Sequence, residues 1–82
     1  MEKKRSKNRI IEEILTTCQE GASKTRIVYQ VNLNFRTINP YLDSFIKNGL
    51  LDVLEGDPTR YKTTDKGVKV LEHLKAVDAL VH

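Results

Sequence analysis

At Gly49 the apolar spacing of the chain changes character. Upstream, hydrophobic residues recur every three or four positions. From Leu50 to Thr63 they fall in two short runs split by Gly56, Asp57 and Pro58, and after Thr64 the helical spacing returns. A period of about 3.6 marks a helix with one buried face, and a period of about two marks a half-buried strand. One switch out and one switch back therefore require helices on both sides of a β-hairpin. With 82 residues, 39% of them hydrophobic, the chain can build one small core. The expected class is mainly α with a small β-hairpin, an α+β arrangement closed by an apolar C-terminal helix.

Within the helical part, Ile11, Ile14, Leu15 and Cys18 form one stripe, with Glu12, Glu13 and Thr16 opposite, which predicts a helix from Lys7 to Gln19. Gly21 supplies its stop. Cys18 lies on the buried stripe and reads as a small core hydrophobe. A second helix begins at Ser23 or Lys24 and covers the core with Ile27, Val28 and Val31. Asn32, Leu33 and Asn34 break the pattern. Asn34 is a good N-cap for a third helix carrying Phe35, Ile38, Leu42, Phe45 and Ile46, closed by Asn48 and Gly49. Pro40 allows one kinked helix or a new start with Asn39 as cap; Phe35 and Ile38 keep phase with Leu42 and Phe45, which favours the kinked helix. Strands are expected over Leu50–Glu55 and Thr59–Thr63, and Thr64 caps a last helix from Asp65 to about Val81. The five aromatic side chains, Tyr29, Phe35, Tyr41, Phe45 and Tyr61, are expected in or at the edge of the core.

Helix, helix-turn-helix, hairpin and closing helix, in that order, outline a winged helix-turn-helix domain. The blocks Lys24–Phe35 (KTRIVYQVNLNF), Tyr41–Leu51 (YLDSFIKNGLL) and Tyr61–Gly67 (YKTTDKG) resemble the archaeal winged-helix DNA-binding proteins of the ten-kilodalton Sulfolobus chromatin-protein type. The resemblance covers roughly residues 7–74. It implies a DNA-binding homodimer joined through the last helix. The residues give that pairing a seam, Val70, Leu74, Val77 and Val81, spaced four, three and four. So short a seam is marginal for a coiled coil, and packing of this helix on the chain's own core is the competing arrangement. The division expected is a basic tail over 1–6, a core over 7–64 and a dimerisation helix over 65–82.

Charge is segmented. The formal net charge is +3, yet residues 1–9 alone net +4 and the rest nets −1. Residues 24–47 and 59–70 each net +3, whereas 10–23 and 48–58 each net −3. The tail is expected to be flexible until it meets DNA. Double-stranded DNA is the partner this distribution suits. Lys24, Thr25 and Arg26 open the second helix, where cations and backbone amides can meet a phosphate. Arg36, Thr37 and Asn39 sit in the N-terminal half of the third helix, where base edges are usually read, and Lys47 shares its outward face. Arg60 and Lys62 line one face of the second strand. Glu55 and Asp57 make the hairpin tip acidic, so the stem rather than the tip is expected to touch the backbone.

The same sequence predicts a non-enzyme without cofactor or metal. No nucleophile and base pair can be assembled, there is no glycine-rich phosphate loop, and one cysteine with two histidines leaves no zinc spacing. No apolar run is long enough for a membrane span or secretory signal, which suggests a cytoplasmic, nucleoid-associated protein. Transcriptional regulation or chromatin association is the leading expectation. A protein-interaction adaptor on the same scaffold is the alternative.

Overall fold

The computed structural model describes residues 5–81, so Lys3, Lys4 and His82 of the expected tail and terminus lie outside the described residues. The order is α1 (Lys7–Thr17), β1 (Ala22–Ser23), α2 (Lys24–Val31), α3 (Phe35–Lys47), β2 (Leu51–Leu54), β3 (Arg60–Thr63) and α4 (Asp65–Val81). Each helix start follows from a side chain that satisfies an otherwise free amide. Ser6 Oγ accepts from the Arg9 amide at 3.1 Å, Ser23 Oγ from Arg26 at 3.2 Å, Asn34 Oδ1 from Thr37 at 2.9 Å and Thr64 Oγ1 from Gly67 at 3.0 Å. Between α2 and α3, Asn32 takes the left-handed conformation at φ 60°, a role its short polar side chain tolerates. Pro40 lies inside a single α3, so the alternative start at Asn39 is not used.

The hairpin is part of a larger sheet. Strand order is β1-β3-β2, all antiparallel, with Ser23 opposite Arg60 on one side of β3 and Asp52 opposite Lys62 on the other. The expected two-stranded wing therefore gains a third strand, and β3 becomes central. Its side chains alternate as the sequence reading requires: Arg60 and Lys62 are exposed, Tyr61 is half-buried and Thr63 is buried.

One core holds these elements together: Ile14, Leu15 and Cys18 from α1, Ala22 from β1, Ile27 and Val31 from α2, Ile38, Leu42 and Phe45 from α3, Leu51 from β2, and Leu71 from α4. Tyr41 and Phe45 pack with tilted rings 6.0 Å apart at the edge of this core. Two of the five aromatics depart from expectation. Tyr29 is 82% exposed and Phe35 47% exposed. Position 29 lies opposite Ile27 and Val31 on the helix, and Phe35 is the first residue of α3, at the end of its buried stripe.

The end of α1 is closed by the sheet. The buried Thr63 hydroxyl donates to the Leu15 carbonyl at 2.7 Å, the Thr63 amide donates to Cys18 at 2.9 Å, and Lys62 Nζ donates to the Gln19 carbonyl at 2.9 Å. A lysine ammonium at that end also complements the negative pole of the helix. At the other side of the sheet Gly67 lets α4 cross tightly. A Cβ there would meet the Leu50 carbonyl oxygen and lie 2.6 Å from Thr63 Cγ2.

Candidate nucleic-acid interface

Two of the cationic groups that lie far apart in sequence meet through the short β1 strand. Pairing of Ser23 with Arg60 puts the start of α2, with Lys24, Thr25 and Arg26, beside the exposed stem of β3. Thr25 and Arg26 are exposed and Lys24 is half-buried. The Arg60 guanidinium reaches over Gly21, 3.9 Å from where a Cβ would stand. A two-residue strand is too short to show a period, which is why this juxtaposition was not legible in the sequence.

Lys62 is placed differently from Arg60. It shares the exposed face, but its ammonium is already bonded to the Gln19 carbonyl and Asp52 stands opposite in the register. At the far end of α3, Lys47 is exposed and the Lys66 side chain passes 3.9 Å from a Cβ built on Gly49. The acidic Glu55 and Asp57 are exposed at the hairpin turn.

On α3, Arg36, Thr37, Pro40, Asp43, Ser44 and Lys47 are exposed, as the inward set Ile38, Leu42 and Phe45 dictates. Asn39 sits on the flank. It is half-buried, and its Oδ1 is shielded from solvent without a donor among the described residues. Of the three side chains expected at the base-reading end, Arg36 and Thr37 thus stand free and Asn39 is partly withdrawn.

Arg5, counted in the sequence as part of the basic tail, is anchored. Its guanidinium pairs with Glu13 and donates to the Val31 carbonyl at 2.6 Å, at the end of α2 just before the turn into α3. Arg9 lies 3.3 Å from the same Glu13 carboxylate. No hydrophobic period reports such a link, because it joins residues separated by most of two helices.

The seam on α4 divides. Val70 packs against the core, Leu74 is half-buried, Val77 is 40% exposed and Val81 is 74% exposed, with Leu80 beside it 87% exposed. Nearby, the Glu12 carboxyl of α1 faces Asp78 of α4. When protonated, Glu12 can hydrogen-bond the Asp78 carboxylate, which raises its pKa above the ordinary value; desolvation and the like charge act in the same direction, while Arg9 and Lys75 oppose them. Among the described residues no group of three His, Cys, Asp or Glu side chains is placed to hold a metal, and no helix is long and apolar enough to cross a membrane.

A helix-turn-helix followed by a β-stem and a closing helix defines a winged helix-turn-helix protein, and the chain belongs to that family, whose pattern it matches over residues 4–82. It is 36% identical over 72 residues to an uncharacterised protein of Methanocaldococcus jannaschii, an alignment covering 87% of this chain and 71% of the relative. It is also similar to the crystal structure of Sso10a-2, a DNA-binding protein from Sulfolobus solfataricus, with a TM-score of 0.85 and 28% identity over 93% of this chain and 81% of that one. The likeness to archaeal winged-helix proteins drawn from the three sequence blocks thus holds.

Proposed function

We propose that the protein binds double-stranded DNA without catalysing a reaction on it, as a transcriptional regulator or chromatin-associated factor of the nucleoid. The observation that carries this reading is the β1–β3 pairing, which sets Arg60 beside the start of α2. Lys24, Thr25 and Arg26 there, with Arg60, form one contact surface for the phosphate backbone, which rewards positive charge and donors whatever the sequence. The exposed face of α3 enters the major groove, with Arg36 and Thr37 toward the bases, Asn39 at the flank and Lys47 toward the backbone. Lys62 contributes by reaching past its bond to Gln19, and the acidic turn stays clear of the duplex. Of the segment 1–6 expected as a basic tail, Lys3 and Lys4 add charge, while Arg5 is held on Glu13 and Val31 and Ser6 caps α1. The structural likeness to a DNA-binding protein supports the same reading.

The protein acts as a homodimer in this proposal. Val77 and Val81, exposed on α4, meet their counterparts in a second copy, with Leu74 at the margin and Val70 bracing the helix on its own core. The exposed apolar end of α4 also favours a second reading, an adaptor that binds another protein.

Titration of duplex DNA at several salt concentrations tests the leading reading. Log affinity should fall linearly with log salt, and Arg26→Ala or Arg60→Ala should each reduce the slope by about 0.9, the share of one phosphate contact. Arg36→Ala should instead flatten the preference among sequences. Absence of binding at low salt, or binding indifferent to salt, refutes the proposal.

A further inference from the structure

The recognition end of α3 pairs an apolar ring with a guanidinium. Phe35 is the first helical residue and Arg36 the second, and Asn34 fixes their backbone by accepting from the Thr37 amide. The Phe35 ring is half in water although Ile38 and Leu42, next on the same hydrophobic period, are buried. A single exposed ring on a surface needs no explanation. Its place does: it stands beside an exposed arginine on the turn that leads the helix into a groove.

The chemistry of that end is unusually one-sided. From Asn32 to Leu42 the chain carries no acidic residue; the first is Asp43, exposed on the same helix two turns beyond Arg36. Neither Arg36 nor Phe35 has a side-chain hydrogen bond or ion pair among the described residues that would hold it away from a ligand. In the major groove, thymine is the base that offers a methyl group, and guanine offers two acceptors suited to a guanidinium. Successive residues on a first helical turn diverge by about 100°, enough to address neighbouring base pairs.

We propose that Phe35 is a specificity-determining residue that packs on a thymine methyl while Arg36 takes the guanine of the adjacent pair, so that the protein prefers duplexes with neighbouring T·A and G·C pairs. This rests on the DNA-binding reading and adds to it a base preference. The contact is apolar on one side and charge-assisted on the other. Its two halves respond to different changes in the DNA.

The test uses the full chain and two duplexes of identical sequence, rich in adjacent T·A and G·C pairs, one made with thymine and the other with deoxyuridine, which lacks only the methyl. Fluorescence anisotropy should show about fourfold weaker binding of the deoxyuridine duplex, the value of one buried methyl-sized group. Phe35→Ala should bind both duplexes alike while keeping the salt dependence of the parent protein. Replacing guanine by 7-deazaguanine should weaken the parent and leave Arg36→Ala indifferent. Equal binding of the thymine and deoxyuridine duplexes by the parent protein overturns the inference, and so does a methyl effect that survives in Phe35→Ala. Salt-dependent binding without a methyl effect removes this inference and leaves the DNA-binding reading standing, whereas no binding of either duplex removes both. The thymine comparison on the parent protein needs no variant to fold.

Discussion

Replacing Gly67 by alanine should destabilise the protein, although the position is helical. In an open helix the exchange favours the folded state by about 1 kcal/mol, because glycine is the poorer helix former. Here the added methyl is directed at the Leu50 carbonyl and at Thr63 Cγ2, 2.6 Å away. Leu50 cannot yield cheaply. Its amide donates to Phe45 at 2.7 Å and its carbonyl accepts from Thr64 at 3.0 Å, so moving it disturbs the end of α3 and the start of α4 together. Thr63 is held by its own bond to Leu15. Overpacking costs about 1–3 kcal/mol, and obstacles made of anchored backbone belong at the upper end. Offset by the helix preference, the net loss is about 2 kcal/mol, which lowers the melting temperature of a domain this size by about 8–16 °C. Urea unfolding followed by circular dichroism at fixed protein concentration measures it, with Lys69→Ala, an exposed change on the same helix, as the control. A Gly67→Ala protein as stable as its parent, with the same fold, refutes the close-crossing argument.

Glu12 and Asp78 make a pH prediction. The Glu12 pKa is raised in the folded state, so the fold binds that proton more tightly than the unfolded chain does. The contribution is fully present below the unfolded pKa and is lost as pH rises through the raised one. Glu12→Gln should accordingly be more stable than the parent at neutral pH, with the gap closing in mild acid; a gap that is constant with pH, or of opposite sign, counts against the shared proton. For the proposed dimer, sedimentation over a concentration series should show self-association of the parent and a monomer for Val77→Asp combined with Leu80→Asp. A parent protein that stays monomeric at high micromolar concentration excludes pairing through α4.

The sequence carried the element order because its local signals agree with its packing. Asn34 and Thr64 are side chains that cap, Gly21 and Gly49 have the positive φ expected of glycine stops, and the alternation of Arg60 to Thr63 assigns each residue to its observed face. What escaped depends on partners distant in sequence. Ser23 becomes a strand residue only because Arg60 lies beside it. Arg5 leaves the tail because Val31 ends a helix within its reach. Tyr29 lies opposite the buried Ile27 and Val31, so the helical phase by itself places its ring outside the core. On α3 the inward set located Arg36 and Thr37 correctly as exposed, while the partial burial of Asn39 follows from its flank position, which periodicity resolves poorly.

Cys18 is the chain's single cysteine, fully buried, with its thiol pushed up to about 12 by desolvation. The thiolate is the species that attacks a thiol reagent, so the folded protein resists labelling twice, by closing off the sulfur and by holding its proton. Labelling then proceeds through excursions that part α1 from the rest of the core, and its rate counts them. The molecule carries its own clock for opening, readable as the mass of the label added at Cys18, in the free chain and in any complex that slows the excursions.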